Sequence, residues 1–218
     1  MNTVSLKRRP IKARDTKWAA AMARWLADAG IKPNTISLFS IVCAGVAGGS
    51  LVWSARWGPP PQIILLLLAA VFIQLRLLCN LFDGMVAVEG GLRSKSGEIF
   101  NELPDRFADA LILIGAGYAC PSTDWAMVAG WAAALLAVMT AYVRALGGVA
   151  GASQYFIGPM AKQQRMALIT AACVLDAIGA FWQWEITFVA LGLGIIVVGC
   201  LVTIGRRTRR IIDELNSK

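Results

Sequence analysis

Six long apolar segments alternate with short polar stretches along most of this chain. Each approaches the length of roughly 20 residues that a helix needs to cross a membrane. Pro33 and Asn34 precede the first segment and are suited to begin its helix. The pattern predicts an all-α integral membrane protein with six transmembrane helices, at about 36–53, 63–88, 97–118, 125–146, 166–182 and 186–204.

The segment at about 15–30 has a different pattern from the six spans. Its larger apolar side chains, Trp18, Met22, Trp25 and Leu26, recur at helical spacing on one face. With the basic residues before it, this predicts an amphipathic helix lying in the membrane surface, the alternative being an ordinary packed helix. The chain is predicted to form a single membrane domain over 1–218 that ends in a cytoplasmic basic tail at 205–218.

Composition and charge support the membrane class. The chain is 57% hydrophobic and 16% charged, whereas soluble domains contain about 25% charged residues. The net charge is +8. In a membrane protein such an excess usually lies in the cytoplasmic loops, so it is not interpreted as a sign of nucleic-acid binding. Lys and Arg concentrate in alternate loops, and Arg56 alone lies on the other side. This asymmetry predicts that both termini and residues 80–109 are cytoplasmic, and the expected location is a bacterial inner membrane.

Several kinds of chemistry are excluded by residue type. Histidine is absent, which removes Ser-His and Cys-His catalysis and histidine metal sites. The five cysteines are scattered and form no CxxC, so they indicate neither a disulfide framework nor a zinc site. They are interpreted as small residues in packed helices.

The polar stretch NLFDGMVAVEGGLRSKSGEIFNELPDRFAD lies between the second and third spans. Steps of three and four residues place its polar side chains on one face of each helix. Such oxygens suit a hard divalent cation, and ionisable residues at membrane depth are functional candidates. The alternative is an ion-pair network in which Arg76 and Arg106 neutralise the acids. The two stripes are Asn80, Asp83 and Ala87, and Glu98, Asn101, Asp105 and Asp109.

Two further features could complete a site for a diphosphate. Gly84 and Gly97 would let a nucleotide approach the backbone, although close helix packing explains either glycine equally well. Arg144, Lys162 and Arg165 fall on the same predicted side, the last two at the start of the fifth span. Cations at a helix N-terminus form a phosphate-binding site, and the alternative is anchoring to lipid headgroups.

These residues resemble the motif of the CDP-alcohol phosphatidyltransferases, D-x2-D-G-x2-A-R-x8-G-x3-D-x3-D. The spacing of this chain fits from Asn80 to Asp105, and three positions differ, with Asn80 and Asn101 for aspartate and Val88 for arginine. The segments KPNTIS and GPMAKQQRM and the six-span layout are also similar to the family. The positions that match in identity are Asp83, Gly84, Ala87, Gly97 and Asp105.

The resemblance implies transfer of a phosphatidyl group from a CDP-linked donor, such as CDP-diacylglycerol, to an alcohol, with release of CMP in phospholipid biosynthesis. It implies one or two Mg²⁺ or Mn²⁺ ions, a cytoplasmic active site and a homodimer. Asp105 would be the general base and a metal ligand. The other implied metal ligands are Asp83, Asn80, Asn101 and a nearby Glu98, and the implied CDP-binding positions are Gly84, Ala87 and Gly97. Arg144, Lys162 and Arg165 would bind phosphate or acceptor.

The two asparagines leave other interpretations open. Each keeps one oxygen ligand but removes one negative charge from a site for cations. The chain could therefore hold one metal, recruit other carboxylates, or bind a nucleotide-lipid as a partner protein without turnover. A small transporter is a further alternative, for which Asp176 is the one acid within the fifth span.

Overall fold

The computed structural model describes residues 16–91 and 97–218, and these form seven helices without a strand. The all-α prediction is confirmed, and the helix bounds agree with the predicted segments to within about four residues, except at the end of α7. In chain order they are α1 (Lys17–Asp28), α2 (Pro33–Ser54), α3 (Pro61–Glu89), α4 (Gly97–Tyr118), α5 (Ala126–Val149), α6 (Lys162–Trp182) and α7 (Phe188–Asn216).

Local sequence explains where several helices begin and end. Proline occupies the first turn of α2 and of α3, where its missing N–H is not needed. The helix α6 ends at Trp182 and is followed by Gln183, which adopts a left-handed conformation with φ of 55°. The helix α7 does not end at Ile204 but continues through the basic residues to Asn216, so most of the predicted tail is helical.

Among the described helices, α2, α3, α5, α6 and α7 are long and apolar enough to cross a membrane. The helix α4 has 22 residues, but polar and charged side chains occupy its first half. Length and composition thus support an integral membrane protein, and the count of six spans stays a prediction.

Small residues let the helices of the bundle approach closely. α2 packs against α3 and α4, and α4 also packs against α5. A Cβ added at Gly115 would lie 2.6 Å from the Gly48 carbonyl oxygen, so the backbones of α4 and α2 touch there. Glycine is required at this crossing because any side chain would separate the helices.

The amphipathic helix α1 packs on the end of α3. Its buried residues Ala19 and Ala23 join an apolar cluster with Leu81, Met85 and Val86. Trp18, Met22 and Trp25 remain exposed on the outer side of α1. The amphipathic helix is confirmed, while its position in a membrane surface stays a prediction.

Asp176 of α6 stabilises the start of α7. Its carboxylate accepts hydrogen bonds from the backbone N–H groups of Phe188 at 2.6 Å and Val189 at 3.0 Å. These donors have no partner within their own helix, and a negative charge at a helix N-terminus is favourable. The one acid that suggested transport therefore has a structural role in the contact between two helices.

Candidate functional site

The C-terminal part of α3 and the N-terminal parts of α4 and α6 meet at one end of the bundle. Asn80 of α3 donates hydrogen bonds from Nδ2 to Asn101 Oδ1 at 3.3 Å and to Asp105 Oδ1 at 3.0 Å. The Lys162 ammonium donates to Asn80 Oδ1 and, at 2.6 Å, to Asp105 Oδ2. Three motif positions and Lys162 thus form one hydrogen-bonded group, here called the polar cluster.

A buried ion-pair network continues the polar cluster one turn further along α4. Asp109 accepts hydrogen bonds from Arg76 Nη2 and Arg165 Nη2, each at 2.6 Å. Arg76 also donates to Asp105 Oδ1 at 3.2 Å. Arg76, Arg165 and Asp109 are each at most 1% exposed. Charges at this depth are stable only when paired, so Asp109 holds the two arginines in place.

Asp83 turns toward α2 and binds Ser37. Ser37 Oγ donates to Asp83 Oδ2 at 2.7 Å. The other carboxylate oxygen, Oδ1, is buried and has no hydrogen-bond partner. A buried acceptor without a donor is costly, and a cation is one group that can satisfy it.

A second group of charges lies beside the polar cluster, around Glu102. Its carboxylate accepts hydrogen bonds from Arg144 Nη2 at 2.7 Å and from Arg106 one turn along α4. The Arg144 guanidinium lies over the Phe156 ring, 5.0 Å from its centroid. Arg106 and Arg144 therefore both neutralise Glu102. Arg76 pairs with Asp105 of the polar cluster and with Asp109.

The C-terminal part of α7 positions the segment that leads into α6. Thr203 Oγ1 accepts a hydrogen bond from the Met160 N–H at 3.0 Å, and Arg207 Nε donates to the Ile157 carbonyl at 2.9 Å. Glu214 accepts from Tyr155 Oη at 2.7 Å. This bond raises the pKa of the Tyr155 hydroxyl, because ionisation would bring two anions together.

The structure brings together Asn80, Asn101, Asp105 and Lys162 in one hydrogen-bonded group. It pairs Arg165 with Asp109, Arg144 with Glu102 and Asp83 with Ser37. Of the small residues, Gly84 is buried on α3, Ala87 is partly buried one turn later, and Gly97 begins α4. The side chain of Glu98 lies outside what the structure describes.

Two residues that the structure connects to the site were given no role in it from the sequence, namely Asp109, which was named only as part of the polar stripe, and Ser37, which was not named. Asp109 lies on the same stripe of α4 as Asp105, four residues later, and that spacing was its only signal. Ser37 gives no local signal, because its partner Asp83 is 46 residues away in the chain.

The carboxylate oxygens of the site differ in how far they are free to bind a cation. Asp83 Oδ1 is a buried carboxylate oxygen without a donor, which suits a hard cation. Both oxygens of Asp105 already accept hydrogen bonds. Residues 16–91 and 97–218 contain no group of three or more His, Cys, Asp or Glu side chains that could hold a metal. A metal here would need amide or ligand oxygens as well.

The fold and the site together describe a helical membrane protein with a charged, amide-rich site at one end of its bundle. No protein-family model and no curated protein sequence matches the chain. Solved structures with the same fold do match, and all three described here are crystal structures of Mycobacterium tuberculosis phosphatidylinositol phosphate synthase (PgsA1).

The structure of PgsA1 with manganese and citrate superposes with a TM-score of 0.72 at 15% identity, over 88% of this chain and 88% of that one. The structure with CDP-DAG bound gives 0.71 at 16% identity, over 90% and 94%. The apo form gives 0.68 at 16% identity, over 87% and 93%. The chain is therefore similar in fold, nearly end to end, to this synthase.

Proposed function

We propose that this chain is a CDP-alcohol phosphatidyltransferase that moves a phosphatidyl group from a CDP-linked lipid to an alcohol and releases CMP. The observation that carries the proposal is the polar cluster. Asn80, Asn101 and Asp105 have the spacing of the family motif and share hydrogen bonds, within a fold similar to PgsA1. One similar structure contains CDP-DAG, which supports a CDP-lipid donor such as CDP-diacylglycerol.

The reaction replaces one phosphorus–oxygen bond with another. The acceptor hydroxyl oxygen bonds to the phosphorus that carries the diacylglycerol, and the bond from that phosphorus to the CMP oxygen breaks. The hydroxyl proton passes to a carboxylate, for which Asp105 is our candidate because of its motif position. Arg76 and Lys162 hold the Asp105 carboxylate in a fixed orientation at the end of α4.

A divalent ion would be held by Asp83, with amide oxygens and donor phosphates as further candidate ligands. Mg²⁺ and Mn²⁺ are the candidate ions, and manganese is present in one PgsA1 structure. The chemistry that such an ion supplies when bound is neutralisation of the diphosphate charge. Gly84, Ala87 and Gly97 have little or no side chain and would leave space for cytidine.

The remaining features of the proposal concern the acceptor and the membrane. Arg144, Lys162 and Arg165 are the candidate phosphate-binding residues, and Arg144 with its neighbour Arg106 is suited to an anionic acceptor. Six spans, a site that opens to the cytoplasm of a bacterial inner membrane and a homodimer belong to the same proposal.

The direct test measures CMP release. Purified protein is incubated with CDP-diacylglycerol, Mg²⁺ or Mn²⁺ and a panel of free and phosphorylated alcohols. We expect metal-dependent CMP release with at least one acceptor, and at least a hundredfold loss in Asp105→Asn, because general-base catalysis contributes about 10²–10⁴-fold. Asp213→Asn, an exposed carboxylate on α7, is the matched control and should retain activity.

Absence of CMP release with every acceptor and both metals would reject the transferase. Binding of CDP-diacylglycerol without turnover would then support a nucleotide-lipid-binding partner protein. The present geometry favours the enzyme, because Asp105 and Lys162 occupy one connected group with the motif amides.

A further inference from the structure

The C-terminal part of α7 turns one arginine toward the protein and three toward its surroundings. Arg207 is buried and donates a hydrogen bond to the Ile157 carbonyl oxygen. Arg206, Arg209 and Arg210 are exposed. Because helix positions three and four residues apart share a face, these three arginines lie together on one outer side of α7. They are here called the arginine face.

The arginine face has hydrogen-bonding capacity that the protein does not use. Within the part of the chain that the structure describes, the side chains of Arg206 and Arg209 form neither a hydrogen bond nor an ion pair. The Arg210 guanidinium lies over the Tyr155 ring, 5.7 Å from its centroid. Asp213 is exposed one turn further along the same side. Three cations exceed this one acid, and their N–H groups are suited to the oxygens of a phosphate.

The length of α7 places the arginine face at a membrane surface. From Phe188 to Gly205 the helix rises about 26 Å, at roughly 1.5 Å per residue. The hydrocarbon core of a bilayer is about 30 Å thick. Arg206 follows directly, and Arg209 and Arg210 lie about 5–6 Å further along the axis. The guanidinium groups therefore fall in the layer that lipid headgroups occupy.

An exposed apolar stripe leads along the span to the arginine face. Ile195, Val198 and Val202 are 54%, 62% and 46% exposed. Steps of three and four residues connect them to one another and then to Arg206 and Arg209. This side of α7 is therefore apolar along the span and cationic at its end, in the same order as the acyl chain and the phosphate of a phospholipid.

The rest of the protein fixes the helix that carries the arginine face. Thr203 precedes the face and accepts a hydrogen bond from the Met160 N–H, and Glu214 follows it and accepts from Tyr155 Oη. The backbone of α7 is thus held on both sides of the three arginines. A rigid helix loses little conformational entropy when it binds a ligand.

We infer that the arginine face and the apolar stripe form a binding site for one anionic phospholipid. Its phosphate contacts the three arginines, and one acyl chain lies along Ile195, Val198 and Val202. The site is on α7, whereas the polar cluster is formed by α3, α4 and α6. The inference therefore does not depend on the proposed transferase and predicts lipid binding without turnover.

The test measures lipid binding to purified full-length protein in a neutral detergent by native mass spectrometry. Wild-type protein should bind phosphatidylglycerol at least tenfold more tightly than phosphatidylcholine. The triple variant Arg206→Gln, Arg209→Gln, Arg210→Gln should lose this preference, because each cation near an anionic lipid surface contributes roughly fivefold in affinity. Size-exclusion profiles and tryptophan fluorescence check that the variant is folded.

The matched control removes the same charge from exposed cations outside α7. Its substitutions are Lys17→Gln, Arg24→Gln and Lys32→Gln. Lys17 and Arg24 lie about 10 Å apart along α1, too far to share one phosphate, so the control should keep the preference. A second control uses glycerophosphoglycerol, the headgroup without acyl chains. It should displace the lipid poorly, because the apolar stripe has no chain to bind.

Equal binding of the two lipids to wild-type protein would overturn the inference without any variant. An equal loss in both triple variants would show a response to net charge alone and would also overturn it. So would displacement by glycerophosphoglycerol or inorganic phosphate at the concentration of the lipid, which indicates a site for free phosphate. A dimer that dissociates only in the α7 variant would assign this side of α7 to a second copy of the chain and reject the lipid. None of these readouts involves CMP release, so the lipid site and the transferase can fail separately.

Discussion

Asp105 and Asp109 lie one turn apart on α4 and share Arg76, yet their surroundings differ. Asp109 bonds only to guanidinium groups and is 1% exposed. Asp105 also binds Lys162 and Asn80, which connect it to the motif positions. At the residue scale we therefore expect Asp109 to stabilise the fold and Asp105 to take part in the proposed reaction.

Replacement of Asp109 by asparagine should destabilise the protein strongly. Arg76 and Arg165 would remain buried without their counterion, a loss of about 3–5 kcal/mol. Thermal unfolding in detergent, followed by tryptophan fluorescence, measures the effect. Asp105→Asn is the comparison variant. It should lose less stability, because Arg76 keeps its bond to Asp109. An equal loss of stability in both variants would contradict the division of roles.

At the element scale, contact between helix backbones shapes the bundle. A Cβ at Gly48 would lie 2.5 Å from the Leu111 carbonyl oxygen, and one at Gly130 would lie 2.8 Å from the Leu113 carbonyl oxygen. α4 is therefore held against α2 on one side and α5 on the other through glycine. This packing fixes the position of α4 along the bundle axis, and therefore the position of Asp105 relative to α3.

Gly115→Ala should destabilise the crossing of α2 and α4. The added methyl group would meet backbone atoms of Gly48, which cannot move aside as a side chain can. We expect a loss of about 1–3 kcal/mol, typical of overpacking. Thermal unfolding again measures it. Gly45→Ala is the matched control on α2, with nothing within 4 Å of the new Cβ, and should be neutral or slightly stabilising. An equal change of stability in the two variants would contradict the close backbone contact between α2 and α4.

The end of α7 is the second element that acts on the site. Glu214 accepts hydrogen bonds from the Ser153 N–H at 2.9 Å, from Ser153 Oγ at 3.2 Å and from Tyr155 Oη. These bonds hold the connection between α5 and α6, which ends at Lys162.

Glu214→Ala should loosen that connection. Three donors lose their acceptor, so backbone amides at 151–157 should exchange with deuterium several-fold faster. Hydrogen–deuterium exchange with mass spectrometry measures this, and Asp213→Ala on the same turn is the control. Unchanged exchange at 151–157 would show that α7 does not restrain the segment.

At the scale of the whole molecule, the polar cluster and most described cations lie at the same end of the bundle. Arg56 lies in the connection between α2 and α3, at the other end. The asymmetry of Lys and Arg predicts that the site end is cytoplasmic. The exposed aromatic face of α1 on that end is suited to the membrane surface.

A labelling experiment tests this orientation. Arg56→Cys and Lys218→Cys place thiols at two exposed positions, at opposite ends of the bundle. In intact bacterial cells, a membrane-impermeant maleimide should label Arg56→Cys and leave Lys218→Cys unlabelled until the cells are opened. Unsubstituted protein gives the background, because four of its five cysteines are buried and Cys79 is partly buried. The reverse labelling pattern would invert the predicted topology.

The helices and the spacing of the motif followed from the sequence by itself. Hydrophobic segments, prolines at 33 and 61 and steps of three and four residues act locally, so the bounds of α4 and the shared face of Asn101 and Asp105 needed no tertiary information. The extension of α7 was missed because its basic residues resemble a solvated tail, whereas they remain helical through packing and hydrogen bonds to the 150–161 segment.

Tertiary structure decided which charges meet. Lys162 contacts Asn80 across 82 residues of chain, and Arg165 contacts Asp109 across 56. Local patterns carry no information on such pairs, because they depend on how α3, α4 and α6 are packed side by side. The sequence showed asparagine at two motif positions where aspartate is expected, and only the fold showed that Lys162 contacts one of these asparagines.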